Sequence, residues 1–557
     1  MSNKYVYFFG DKKAEGDGSM RELLGGKGAG LAAMTKIGLP VPAGFTITTE
    51  VCDLYYKNGK AYPDGLDKQV DECIEKLERS IGKKLGDRDD PLLVSVRSGA
   101  VVSMPGMMET ILNLGLTDES VEGLAKKTGN KRFALDAYRR FIMMYGSTAM
   151  GINREKFDHI FDAVKNEKTR KRLNISADKK VNDTDVDDNE LGEVVKLFKE
   201  LYKEEIGKDF PQDPKEQLWG SISAVFNSWM AEKAVTYRRV ENIKGVVGTA
   251  VNVMQMVFGN KGDTSGTGVC FTRDPNTGEN IFYGDYLINA QGEDVVAGIR
   301  TPIKLSDFEK ADKKAYDQLV GVRKTLEENY KDMQDLEFTV EEGKLYMLQC
   351  RTGKRSPFAA FKIATDMVEE GLITKNDAIR RIKDRDIEGI FYPIIDPSQK
   401  DELKKKYLVN GIGAVPGAAT GIVVFNAKDA EDRAAEGNKV ILVRKETSPE
   451  DVGGMHAAAG ILTATGGKTS HAAVVARGWG KCCIVGCESL NIDYKKGEFS
   501  VGDVVVRAGD SITLDGTSGD VYIGELKLKT SELPDSYQKI MKWADEIKKI
   551  KVRTNAD

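Results

Sequence analysis

Short apolar runs punctuated by glycine and proline alternate with longer amphipathic stretches throughout the 557 residues, the pattern of a mixed α/β chain. Tyr5–Phe9 reads as a strand, and Leu24–Met34 as a glycine-rich turn running into an apolar helix. Gly38–Thr49 is a turn leading into a strand, with a helix expected over Val51–Lys57. Pro91–Gly99 has the look of a buried strand interrupted by Arg97. From Thr117 to Gly207 the pattern turns helical and charged, with helices over Lys131–Tyr145 and Glu190–Ile206, an inserted helical subdomain. Strands return at Thr249–Phe258, and Asp335–Val340 pairs through a Glu341–Lys344 turn with Leu345–Arg351 as a hairpin. Residues 356–405 are helical and charged, broken by Tyr392–Pro397, and read as a linker. A compact β/α unit begins near Gly411, with strands at Gly421–Phe425, Val440–Val443, Gly460–Thr463, Cys482–Val485 and Ser511–Leu514; after Gly524 the chain is helical again.

Chemistry concentrates at Gly466–Arg477, where a Gly-Gly turn follows the apolar run Ala459–Leu462. Thr469 and Ser470 stand where helix caps belong, ahead of the helix formers Ala472–Ala476. His471 is thereby placed at or just before a helix N-terminus, where unsatisfied N–H groups and the macrodipole favour an anion. Neutral imidazole is a nucleophile near pH 7, so the position suits a phosphoryl group carried on the ring. The plainer reading is a histidine that caps its helix. His159 and His456 lack comparable surroundings. Arg477, about 600° further round the helix, does not share a face with His471, and an ion pair is its expected role.

Charge changes the picture little: 82 basic residues stand against 86 acidic ones, for a net −4. The absence of a basic stripe interleaved with aromatics argues against nucleic acid as a partner. Seven cysteines are too few and too odd in number for a disulfide framework, and buried thiols are expected. No apolar signal region or membrane-length run occurs, so a soluble, cytoplasmic protein is expected. The length suggests roughly three or four domains.

Further candidates flank these elements. The loop at Lys27 is not a Walker A sequence, since Arg21 stands where its first glycine belongs and Gly28 where Ser or Thr should follow the lysine. Two readings stand: Lys27 reaches phosphates over glycines that admit close approach, or the stretch is a glycine-rich helix entry. Arg97, within a strand, calls for a phosphate or a carboxylate. Ser103–Thr110, with a Pro-Gly turn among methionines, resembles a lid, and Gly259–Gly268 can present a nest of N–H groups to phosphate oxygens. In the hairpin, period-2 geometry puts Asp335, Glu337 and Thr339 on one face and Gln349 with Arg351 on one face of the return strand. If the faces coincide, Glu337 and Gln349 offer hard oxygens to Mg²⁺ and Arg351 meets a phosphate; otherwise it is a half-exposed hairpin.

Taken in order, Leu24–Met34, Ser95–Gly99 with the Met-Pro-Gly-Met-Met loop, Gly259–Gly268, Asn289–Glu293, Glu337–Arg351 and Gly466–Gly486 resemble the pyruvate, phosphate dikinase family over essentially the whole chain. The resemblance implies an α/β (α+β) architecture. An ATP-grasp-like nucleotide-binding domain at 1–355 would carry a helical insertion at 117–212. A linker at 356–405 would lead to a swivelling β/α phosphohistidine domain at 406–525 and a helical end at 526–557. Lys27, Arg97, Glu293, Glu337, Gln349 and Arg351 would surround ATP, Mg²⁺ and the transferring phosphates, with Glu337 and Gln349 on the metal. Thr267 and Gly268 would form the phosphate loop, and His471 would carry a pyrophosphoryl and then a phosphoryl group. Arg97 and Arg351 would assist that transfer. Thr469 matches a threonine that is a regulatory phosphorylation site in some relatives.

The family continues beyond Lys551–Asp557 into a TIM barrel that binds pyruvate and phosphoenolpyruvate. The expectation is therefore a truncated, monomeric piece of a homodimer, able to perform the ATP/AMP and phosphate/pyrophosphate steps but not the pyruvate step. Rival readings are phosphoenolpyruvate synthase, which uses water as acceptor and typically has cysteine where Ser470 stands, a non-catalytic phosphocarrier similar to enzyme I of sugar phosphotransferase systems, and an inert fragment.

Overall fold

A computed structural model describes residues 3–550 except 103, 105–106, 177–178, 180, 241–242, 298–302, 392, 503 and 531–532. The chain divides into two compact units: residues 1–261 with Tyr346–Gln349, and Gly262–Leu345 with the residues from Cys350 on.

The first unit is built on a six-stranded antiparallel sheet in the order Lys13–Ala14, Val6–Gly10, Gly44–Ile47, Thr249–Gln255, Val94–Ala100, Thr110–Leu114. Val94, Val96, Val251 and Val253 are fully buried in it. The glycine-rich turn and its helix are both present, but the helix begins earlier, at Arg21, and is broken at Gly25, where φ is +67°. A Cβ on Gly25 would lie 1.6 Å from the Gly99 carbonyl oxygen, so only glycine permits that approach. Where the sequence pattern turns helical, helices lie at Asp118–Thr128, Lys131–Met144, Arg154–Val164 and Asp188–Ile206. Helical structure then runs past the expected end, through Pro214–Ser228 and Glu232–Val240. Inside it, Asp136 is buried between Arg139 and Arg140, whose charges hold its carboxyl well below the usual range despite burial.

In the second unit, Ile303–Lys304, Tyr283–Ile288, Gly266–Phe271 and Gln334–Glu341 form successive antiparallel strands, and Lys344–Thr352 is the return strand of the hairpin. A second sheet of eight strands carries the β/α pattern, in the order Tyr407–Asn410, Asp520–Ile523, Ser511–Asp515, Ala418–Val424, Val440–Arg444, Gly460–Thr463, Cys482–Val485, Ile412–Val415. Its middle run from Ala418–Val424 to Cys482–Val485 is parallel, as short βα crossovers require. One core joins Leu442, Ile461 and Val485 with Ala473, Val475 and Ala476 of the helix His471–Trp479. Another core, around Val443, Leu462 and Leu514, reaches Phe499 and Val506 of a small three-stranded sheet.

The stretch expected as linker is partly core. Helix Pro357–Glu369 packs Ala359, Ile363 and Met367 against Phe271 and Met333, and Phe361 and Ala364 against Ile540 of the helix Asp535–Ile547. Pro393–Ile395 pairs antiparallel with Leu528–Thr530, a strand where the sequence pattern suggested only helix. The two crossings into the β/α unit thus run side by side. All seven cysteines are buried thiols, and among the described residues no helix is long and apolar enough to cross a membrane.

Candidate active site

Parallel strands deliver their following loops to one edge of a sheet. Arg444 pairs with Thr463, so the loops after Val440–Arg444 and Gly460–Thr463 emerge together. The second contains Gly466, at φ +103°, and ends at Ser470, the N-cap residue of the helix His471–Trp479. His471 is therefore the first residue of its helix, as its sequence predicts. The capping itself differs from expectation: Ser470 makes no side-chain cap bond, and its buried Oγ makes no hydrogen bond among the described residues. The first loop supplies Thr447, whose Oγ1 is 2.9 Å from His471 Nδ1. Thr447 was not legible in the sequence; the signal available was its place just beyond a predicted parallel strand.

The histidine loop lies on one face of the sheet built by Gly266–Phe271. Directly paired residues of an antiparallel sheet share a face. Val269 pairs with Asp285 on one side and Glu337 on the other, and Phe271 pairs with Tyr283 and Asp335. Onto this face Thr469 Oγ1 donates to Asp285 Oδ2 at 3.2 Å, and Lys468 Nζ sits 5.0 Å above the Tyr283 ring. Arg477 stacks over Phe271 at 5.6 Å and donates from Nε to Asn276 Oδ1 at 3.1 Å. The ion pair expected for Arg477 is absent among the described residues; its Nη2 instead donates to the carbonyls of Lys468 and Ala414. Burial pushes its charge-loss point down to about 10. Burial likewise raises the carboxyls of Asp285 and Asp335.

The hairpin faces coincide at one pair: Arg351 Nε donates to Asp335 Oδ2 at 2.7 Å. Arg351 is thus held by a carboxylate on the strand that carries Glu337. Thr267 and Gly268 are not in a loop. Both lie in the strand Gly266–Phe271, between two partner strands, where a central strand spends its N–H groups in the ladder. Thr267 donates to the Phe338 carbonyl at 3.0 Å, and a Cβ on Gly268 would meet the Phe338 ring at 2.4 Å. Close packing against the Phe338 ring by itself requires glycine at this strand position. The side chain of Glu293 lies outside the described residues, as do Ser103, Pro105 and Gly106 of the lid-like loop. The helix Gly292–Ala297 that carries Glu293 packs Val295 against Leu287 and Val269.

Within the first unit, Lys27 and Arg97 come together around Gly99. The Lys27 Cβ is 3.5 Å from where a Cβ of Gly99 would sit, and Arg97 is two residues away on the same strand. Arg97 Nη1 donates to the Leu348 carbonyl at 3.2 Å, next to the buried Gln349. Asn252 braces the group, accepting from Thr46 at 2.8 Å and donating to the Arg97 carbonyl at 3.4 Å. Among the described residues no three His, Cys, Asp or Glu side chains are grouped to hold a metal. Mg²⁺ bound through one or two carboxylates and substrate phosphates needs no such cage.

The sequence model described as pyruvate phosphate dikinase, AMP/ATP-binding domain, matches residues 21–78, 60–314 and 303–372, and that of the PEP-utilising enzyme mobile domain matches 436–519. The chain belongs to the pyruvate, phosphate dikinase family. Pyruvate, phosphate dikinase of Clostridium symbiosum is 51% identical over all of this chain and 62% of its own length. The chloroplastic pyruvate, phosphate dikinase of Flaveria trinervia is 50% identical over 57% of its length, and the pyruvate, phosphate dikinase of Rhizobium meliloti is 49% identical over 62% of its length. The chain therefore spans about three-fifths of the length of these curated relatives. The mixed α/β fold with an ATP-grasp-like nucleotide-binding domain agrees with the family.

Proposed function

We propose that residues 1–557 carry the nucleotide and phosphate steps of a pyruvate, phosphate dikinase reaction (ATP, phosphate and pyruvate to AMP, pyrophosphate and phosphoenolpyruvate), with His471 as the carrier. The observation behind this reading is that a histidine at a helix N-terminus sits in a loop packed on the sheet face that bears Glu337. Thr447 engages Nδ1, which supports Nε2, buried in this arrangement, as the atom that carries the phosphoryl group. Nε2 attacks the β-phosphorus of ATP, the bond from that phosphorus to the α-bridging oxygen breaks, and AMP leaves with the oxygen. An oxygen of inorganic phosphate then attacks the terminal phosphorus of pyrophosphoryl-His471, and the bond from that phosphorus to the bridging oxygen breaks, the oxygen staying with the group on the ring. Pyrophosphate departs, and one phosphoryl group stays on the ring.

Lys27, Arg97 and Arg351 offset charge on the phosphates, Arg351 after exchanging Asp335 for a phosphate oxygen. Glu337 is a half-buried carboxylate fit to hold Mg²⁺, with Gln349 as the second oxygen donor, and the bound ion would neutralise phosphate charge. The 1–355, 356–405 and 406–525 division is retained as the functional one, with the hinge narrowed to the paired ribbon Pro393–Ile395 and Leu528–Thr530. Thr469 is the regulatory residue in this reading, since a phosphate on its hydroxyl would oppose the contact with Asp285.

Product analysis with ATP and labelled phosphate tests the acceptor. Label in pyrophosphate supports the dikinase; phosphate release with water as acceptor supports the synthase reading instead.

A further inference from the structure

Arg477 is a buried cation with an unusual set of partners. Its side chain is 1% exposed, it makes no ion pair among the described residues, and its Nη1 makes no hydrogen bond among them. A charge in that state is expensive unless something compensates it. Two of its bonds stay within the β/α unit: Nη2 to the Ala414 carbonyl at 3.2 Å and to the Lys468 carbonyl at 2.9 Å. Lys468 is the residue before Thr469, so this second bond fixes the path of the loop that presents His471. Two further contacts reach strand Gly266–Phe271 and the turn beyond it: Nε to Asn276 Oδ1, and the guanidinium carbon 5.6 Å from the Phe271 ring centroid. Asp335 and Asp285 on that sheet, and Asp274 beyond the end of strand Gly266–Phe271, act on Arg477 electrostatically.

One side chain therefore holds the histidine loop in shape and rests on the sheet at which that loop must react. We propose that Arg477 is a positioning residue for phosphoryl transfer: it does not touch the reacting atoms, but couples the conformation of the Lys468–His471 loop to seating on the Phe271–Asn276 edge. Arginine suits the task because its planar fork can donate to two carbonyls and an amide oxygen while stacking on a ring. Lysine offers a point charge and cannot reproduce that set. The inference rests on His471 being the phosphoryl carrier.

Labelling of His471 by two routes tests it. Transfer from ATP requires seating on the sheet of Gly266–Phe271; direct chemical phosphorylation by phosphoramidate requires only that Nε2 of His471, which is buried in this arrangement, becomes exposed as the loop leaves that sheet. In the full chain, Arg477→Lys and Arg477→Met are expected to lose about tenfold or more in the ATP route while the phosphoramidate route is undiminished. Asn276→Ala, which removes only the cross-sheet acceptor, should lower the ATP route alone and by less. Arg477→Lys and Asn276→Ala guard against a Met variant that does not fold. Loss of both routes in parallel in folded Arg477→Lys, or an unchanged ATP route in any folded Arg477 variant, overturns the proposal. Failure of the unsubstituted chain to label from ATP would instead overturn the reading of His471 on which it rests.

Discussion

The Thr469 hydroxyl donates to Asp285 Oδ2 at 3.2 Å, tying the residue two before His471 to the sheet face that also carries Asp335 and Glu337. The contact joins two segments far apart in the chain, and it puts a neutral donor where a second negative charge would be repelled.

Thr469→Asp sets a carboxylate against Asp285. Like charges placed together in a closed interface cost several kcal/mol, so labelling of His471 from ATP should fall by roughly 100-fold. Thr469→Ser keeps the donor and should stay within a factor of about three. Equal rates for the two variants would remove the contact from the account.

Burial raises the Asp285 carboxyl above its ordinary value of 3.8. A group whose value is higher in the packed arrangement takes up protons on packing. The arrangement is therefore favoured at low pH, loses that advantage as pH rises from the ordinary value through the raised one, and is level above it. Asp285→Asn should abolish this acid dependence while keeping an acceptor for Thr469. Protection of the Lys468–His471 loop amides from hydrogen exchange as a function of pH is the readout; an identical profile in the variant would refute the assignment.

Several of these relationships were readable from the sequence, and the exceptions have physical reasons. The histidine helix was legible because a glycine turn, hydroxyl residues and small helix formers occur in succession, and the hairpin because strict alternation flanks a Glu341–Lys344 turn. Thr447 was not, since its proximity to His471 depends on which parallel strands are neighbours. Gly268 misled because glycine in a strand and glycine in a loop look alike; the ring of Phe338 on the adjoining strand decides between them. Arg477 was expected to find a carboxylate, and found carbonyls, an amide and a ring instead. Strand Leu528–Thr530 is too short for any period to show.

Gly25→Ala would put a methyl group into the Gly99 carbonyl at a backbone position with φ +67°. The positive φ alone costs roughly 1–2 kcal/mol, and the clash adds roughly 1–3 more. The melting temperature of the first unit should fall by several degrees, with weaker ATP binding because the helix segment that carries Lys27, just beyond the break at Gly25, shifts. A variant as stable as the parent would show the approach to be looser than described.

Arg273 is wholly buried between Glu327 and Glu370, whose side chains are 10% and 33% exposed. Arg273→Met strands the Glu327 carboxylate and should cost roughly 3–5 kcal/mol of stability by denaturant unfolding. Glu370→Gln, at the wetter end, should cost far less. The reverse order would contradict this reading of the pair.

Mass spectrometry under acid-free conditions reads directly whether the ring of His471 accepts a phosphoryl group from ATP. After incubation with ATP, Mg²⁺ and phosphate, the peptide containing His471 should gain one phosphoryl group, and His471→Ala should gain none. An unmodified His471 peptide in the parent chain, or equal modification in the Ala variant, would contradict the account.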